Sequence, residues 1–217
     1  MRVGRSVAGQ PRRRGALAHA VVMGAGRLAL LLLRPRVRVT GAEHVPERGA
    51  VLLAATHVSY VDFVVIALAA ARRGRRLHFL CRADVWDHRV ARWVLEALGH
   101  VPVDRAAPAA AYLAARSLLR QGEAVALFPE AGISYSLTVR PLMRGAAALA
   151  AETGCAVVPV AVFGTQRIHG VWPLDEAGAE PGLDRTPGRP VDVHCGEPFT
   201  VPADADLTEA TVRLGTG

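Results

Sequence analysis

The stretch "AVLLAATHVSYVDFVVIALAAA", Ala50 to Ala71, changes character twice in 22 residues. Ala50 to Thr56 is short and almost continuously apolar, the pattern of a strand buried on both faces. Val61 to Ala71 is apolar at helical spacing and long enough for three turns of helix. Strand, polar knot and helix in immediate succession make one β-α unit. Further apolar runs occur at Leu77 to Cys81, Ala124 to Phe128, Ala156 to Phe163 and Val191 to Cys195, with helical spacing at Val85 to Leu98, Ala109 to Arg120 and Leu142 to Glu152. Alternation of this kind predicts an α/β fold: a central, mostly parallel, mixed sheet flanked by helices. Leu207 to Leu214 begins like an amphipathic helix and is broken off by "GTG". The Pro- and Gly-rich span Val171 to Pro190 reads as a surface excursion.

The polar knot, "THVSYVD", places His57 five residues ahead of Asp62. Inside one helix that separation turns the side chains roughly 140° apart, on different faces. With the strand ending near Thr56 and Ser59 as helix N-cap, Asp62 falls at the third helical position, and its carboxylate points back toward the loop that holds His57. Two readings stay open from these residues alone. One is a helix cap beside an incidental histidine. The other is a general base whose tautomer a carboxylate fixes. No Gly-x-Ser-x-Gly elbow accompanies the pair, so a serine nucleophile is not indicated, and under the second reading a substrate's own hydroxyl is the candidate nucleophile.

Charge is divided unevenly along the 217 residues. The chain has neither lysine nor asparagine; residues 1–42 carry nine arginines and no acid, whereas the rest carries seventeen arginines against nineteen acids. Between basic flanks lies the apolar run Ala16 to Leu33, about 27 Å long as a helix and slightly short of a bilayer's hydrocarbon thickness of about 30 Å. Arginines on both sides oppose a simple spanning orientation. The expectation is a basic, apolar membrane-associating segment over residues 1–36, its N-terminal helix lying in or dipping into the cytoplasmic leaflet of an anionic membrane, followed by a catalytic domain over 37–217. An ordinary core helix is the alternative. Nucleic-acid binding explains the arginines but not the apolar run. The three cysteines, Cys81, Cys155 and Cys195, lack metal-ligand spacing and read as reduced core residues, so neither a disulfide nor a metal site is expected.

Three further stretches, "GHVPVDR" (Gly99 to Arg105), "LFPEAGIS" (Leu127 to Ser134) and "VVPVAVFGTQR" (Val157 to Arg167), follow "THVSYVD" in order. Together the four resemble the motif blocks of the glycerolipid acyltransferases, the 1-acylglycerol-3-phosphate and lysophospholipid acyltransferases, across roughly Val37 to Gly170. The resemblance implies transfer of a fatty acyl group from acyl-CoA or acyl carrier protein, as co-substrate rather than cofactor, to the free hydroxyl of a lysophospholipid. The first expectation for the acceptor is 1-acylglycerol-3-phosphate. It makes His57 the base and Asp62 its orienting carboxylate, and it gives Arg105, Glu130, Gly132 and Ser134 to the substrates. An arginine just after a strand and turn independently suits bidentate phosphate binding; an ion pair with Asp104 is the competing use.

Departures from the family pattern carry information of their own. Thr56 stands where the family usually has asparagine. In the third block the family's Gly-Thr-Arg is replaced by Ala131, Gly132 and Ile133, so a second phosphate-binding arginine is missing there. Arg82, Arg140 and Arg144 are the candidates to restore that charge. The same departures leave room for another acceptor, such as a lyso-ornithine lipid, or for a lipid-binding protein without turnover.

Overall fold

A computed structural model of the chain describes residues 36–134, 138–167 and 190–216, together with residues 17, 20–22, 24, 25 and 28. Most of the expected membrane segment, and the surface excursion after residue 170, therefore lie outside the described residues. Among the described residues no helix is long and apolar enough to cross a membrane. The described positions between 17 and 28 are helical, and Leu17, Val21 and Leu28 are exposed rather than packed into a core.

The domain is built on one seven-stranded sheet. Its strands are β1 (Arg36–Thr40), β2 (Val51–Ala55), β3 (Leu77–Arg82), β4 (Val101–Val103), β5 (Ala124–Leu127), β6 (Ala156–Phe163) and β7 (Pro190–Cys195). They lie in the order β1-β7-β6-β2-β5-β3-β4, parallel throughout except where β6 meets β7. The connecting helices are α1 (Asp62–Ala71), α2 (Arg89–Leu98), α3 (Pro108–Arg120) and α4 (Gly145–Thr153), and α5 (Leu207–Thr216) follows β7. The expected mostly parallel α/β sheet is thus the one observed.

β2 runs through the middle with all five residues buried. Because successive side chains point to opposite faces, Val51, Leu53 and Ala55 join Val65, Ile66 and Phe79 on the α1 side, while Leu52 and Ala54 join Ala115, Leu119, Ala147 and Leu149 on the α3–α4 side. That double burial is why the sequence is continuously apolar here rather than alternating. Leu52 and Leu53, both wholly buried, contribute about 1.5–3 kcal/mol each. Cys155 and Cys195 are buried free thiols, and burial, with a smaller push from Glu43, raises that of Cys195 to about 11.

Some elements differ from their expected extents. The helical spacing at Val85 to Leu98 becomes a 3-10 turn, Ala83–Asp87, and then α2, because His88 is extended (φ −83, ψ 120). The apolar residues of this segment are only partly core: Leu95 and Ala97 are buried, whereas Val90 is 77 % and Trp93 38 % exposed. β4 is only three residues long, too short to stand out as a run. α4 begins at Gly145 instead of Leu142, since the preceding residues serve the loop that leaves β5.

Candidate active site

All the strands adjoining β2 run parallel to it, so the segments leaving β2, β5 and β6 meet at one end of the sheet. The carboxyl ends of strands in an open α/β sheet are where ligands characteristically bind. Here those segments are the "THVSYVD", "LFPEAGIS" and "FGTQR" stretches.

His57 leaves β2 and Asp62 opens α1. The His57 Nδ1 and Asp62 Oδ2 atoms are 2.9 Å apart, with the histidine side chain 16 % exposed and the aspartate wholly buried. The same Oδ2 accepts the backbone N–H groups of Val58 and Ser59, each at 2.8 Å. The N–H of Ser59 bonded to the carboxylate three residues on is the returning half of a capping box. Ser59 contributes less than expected: its Oγ accepts a long, 3.4 Å bond from Val61 N–H, and the first α-helical residue is Asp62 rather than Tyr60. Asp62 thus caps the loop and orients the histidine with one oxygen. A carboxylate on Nδ1 holds the proton there and leaves Nε2 as the nitrogen able to accept one.

The stretch after β5 clamps His57 from the other side. Phe128 stacks on the imidazole with ring centroids 3.8 Å apart and planes 13° from parallel. Glu130 Oε1 accepts the His57 N–H at 2.9 Å, and Ser134 N–H donates to the His57 carbonyl at 2.7 Å. Ring, N–H and carbonyl of one residue are all tied down, which is the precision a proton-transfer group requires.

The expected substrate-binding residues separate into two groups. Glu130 is 4 % exposed, and its second oxygen accepts Arg140 N–H at 2.9 Å, so both oxygens fasten backbone rather than face solvent. Ser134, also buried, donates its hydroxyl to the Thr138 carbonyl. Both residues shape the loop. Arg105 is exposed, its Nη2 on the Ala131 carbonyl at 3.4 Å. Asp104 instead accepts the Ala106 N–H, so the competing ion pair with Arg105 is not the use observed.

Of the three arginines named for the third block's missing cation, one reaches that block's loop. Arg82 is paired with exposed Asp84, whose carboxyl that hydrogen bond holds low. Arg144 lies toward the start of α5, adding a minor pull to an Asp206 carboxyl lowered first by Thr208 N–H. Arg140, by contrast, reaches the loop itself: its Nη1 lies 3.4 Å from the Ile133 carbonyl. A Cβ at Gly132 would come within 2.7 Å of the same nitrogen, so glycine there admits the guanidinium. Ile133 is buried, and Ala131 takes the left-handed conformation (φ 54) where the family pattern has glycine. Arg105 and Arg140 therefore rest against the two ends of one three-residue loop.

Two threonines close the site, and their roles were not legible from their neighbours in sequence. Thr56 Oγ1 accepts Val162 N–H at 2.9 Å, pinning β6 beyond the end of β2. Thr165, in the 3-10 turn Thr165–Arg167, is buried and donates its hydroxyl to Asp62 Oδ1 at 2.5 Å. A charged cleft lined by Arg48, Arg75, Arg76 and Glu123 lies at the opposite end of the sheet. There Arg75 Nη2 holds the Gly49 and Gly122 carbonyls, a structural use that joins the entries to β2 and β5.

Fold and site together define an α/β protein with a carboxylate–histidine pair at the carboxyl end of its central strand. The chain belongs to the acyltransferase family: the family model described as Acyltransferase matches residues 36–163. It is 31 % identical over 136 residues to a 1-acyl-sn-glycerol-3-phosphate acyltransferase of Bacillus subtilis, covering 62 % of this chain and 66 % of that protein. A chloroplastic 1-acyl-sn-glycerol-3-phosphate acyltransferase of Arabidopsis thaliana is 26 % identical over 138 residues, 61 % of this chain but only 37 % of the relative. The crystal structure of the 1-acyl-sn-glycerophosphate (LPA) acyltransferase PlsC from Thermotoga maritima shares the fold, with a TM-score of 0.67 at 22 % identity, over 90 % of this chain and 74 % of that one.

Proposed function

We propose that this protein transfers a fatty acyl group from a thioester, acyl-CoA or acyl carrier protein, to the free hydroxyl of 1-acylglycerol-3-phosphate, forming phosphatidate. The observation that carries the reading is the His57–Asp62 pair, immobilised on every side and flanked by two arginines. In the reaction His57 Nε2 takes the hydroxyl proton as that oxygen attacks the thioester carbonyl carbon. Asp62 steadies the imidazolium. Collapse of the tetrahedral intermediate breaks the carbon–sulfur bond, and the departing thiolate recovers the proton from His57. Backbone N–H groups of the Gly132 loop are the proposed partners of the oxyanion.

Arg105 and Arg140 are assigned to the acceptor's phosphate. Their 3.4 Å contacts to carbonyls are long ones that a doubly charged phosphate readily replaces. Replacing Arg105 by alanine is expected to raise KM for lysophosphatidate about 10- to 100-fold, the loss of a charged hydrogen bond of about 1.5–3 kcal/mol, with kcat nearly unchanged. Steady-state kinetics against varied acceptor measure this. An unchanged KM removes Arg105 from the phosphate site.

A lipid acceptor calls for a protein at the membrane surface, and three features support one. The N-terminal segment is basic; Leu17, Val21 and Leu28 are exposed; and Tyr60, Val139 and Met143, in segments leaving β2 and β5, and Phe163, the last residue of β6, are exposed apolar side chains. The cytoplasmic leaflet is the proposed location. Mass spectrometry of products from purified protein, acyl-CoA and a mixture of lysolipids tests activity and acceptor together. Phosphatidate as the main product supports the reading. Acylation of lyso-ornithine lipid or another lysolipid in its place changes the acceptor, and lipid binding without any acylated product rejects catalysis.

A further inference from the structure

We propose that Thr165 is a positioning residue for the His57–Asp62 pair, completing a Thr165–Asp62–His57 relay; this rests on His57 being the base, as argued above. Asp62 is wholly buried and its two oxygens do different work. Oδ2 is crowded, receiving His57 Nδ1 and the N–H groups of Val58 and Ser59. Oδ1 receives the Thr165 hydroxyl. An ionised carboxylate only accepts, so the threonine must donate. Without that donor one oxygen of a buried carboxylate loses its partner, and the group gains freedom to rotate about its own bond and draw Oδ2 away from the imidazole.

The chain is shaped to deliver this hydroxyl. Gly164, with φ 97, turns the backbone directly after β6, and a Cβ there would lie 2.5 Å from the Pro190 carbonyl at the start of β7. The Gly164 N–H is held by Gln166 Oε1 at 2.8 Å. Upstream, Val162 N–H is anchored to Thr56 Oγ1 beside His57. The backbone is thus fastened at Val162 and at Gly164, just ahead of Thr165. A hydroxyl placed this way acts through orientation, as do the outer-shell partners of metal-bound histidines, whose loss costs about 10- to 100-fold without direct substrate contact.

Three proteins decide the matter: wild type, Thr165→Val, which keeps the shape and removes the hydroxyl, and Thr165→Ser, which keeps the hydroxyl. The expected result is a kcat about 10- to 100-fold lower in Thr165→Val, with KM for lysophosphatidate within about twofold of wild type and Thr165→Ser within about threefold on both constants. Proton NMR of nitrogen-15 histidine-labelled protein reads the His57 Nδ1–H directly. That signal is expected to move or broaden in Thr165→Val and to persist in Thr165→Ser. Wild-type kcat and an unmoved signal in Thr165→Val overturn the proposal, as does equal loss in both variants. Should Thr165→Val not fold, a folded Thr165→Ser with a displaced His57 signal and lowered kcat overturns it, and an intact signal upholds it. If wild type transfers no acyl group, the functional reading fails, while the NMR comparison still decides whether Thr165 orients the pair.

Discussion

His57→Ala protein is expected to fold normally and to lose about 10²- to 10⁴-fold in kcat for acyl transfer, the range that a positioned general base supplies. The separation of activity from stability follows from the site's hydrogen bonds. Removing the imidazole leaves Asp62 Oδ2 with the Val58 and Ser59 N–H groups and Oδ1 with Thr165, so the buried carboxylate is not orphaned. The Glu130 and Ser134 bonds are made to His57 backbone and survive as well. What disappears is the stacking on Phe128 and the proton acceptor. Asp62→Ala contrasts with this: it removes every one of those acceptor bonds and should lower both turnover and melting temperature. Thermal melts beside single-turnover assays distinguish the two variants. A His57→Ala protein with undiminished turnover rejects the base mechanism outright.

Glu130→Ala is expected to lower stability by at least about 3 kcal/mol, which for a domain of this size corresponds to about 6–12 °C in melting temperature. Its two oxygens accept N–H groups from His57 and Arg140, residues 83 positions apart in the chain, and each such charged bond is worth about 1.5–3 kcal/mol. Loss of the carboxylate frees the β2–α1 loop from the segment that carries Arg140, so kcat should fall and, because Arg140 is assigned to the phosphate, KM for the acceptor should rise. Glu130→Gln preserves one acceptor but turns an amide donor toward the other N–H, and an intermediate loss is expected. Direct binding of the acceptor by Glu130, the role implied by the family resemblance, has a different signature: raised KM with an unchanged melt. Differential scanning calorimetry and acceptor kinetics on the same preparations decide between them.

The resemblance across four short motifs reached the family, and the apolar runs reached the α/β class, because both signals are local. A strand buried on both faces must be apolar throughout, as Val51–Ala55 is. A helix that turns a first-turn carboxylate back toward its loop needs only a few residues to do so, and Asp62 was legible on those grounds. Segment Val85 to Leu98 was less so, since periodicity does not reveal that His88 is extended or that Trp93 is left exposed.

By itself the sequence determined the alternation of strands and helices and made a His57–Asp62 pair possible, one of two readings it left open. Only the tertiary structure decided what surrounds that pair. Glu130 and Thr165 reach His57 and Asp62 because parallel strands distant in sequence, β2, β5 and β6, end side by side, and each loop finds its partners across the sheet rather than along the chain. Backbone hydrogen bonding sets those strand ends in register, and no local pattern of residues specifies which hydroxyl or carboxylate will meet there.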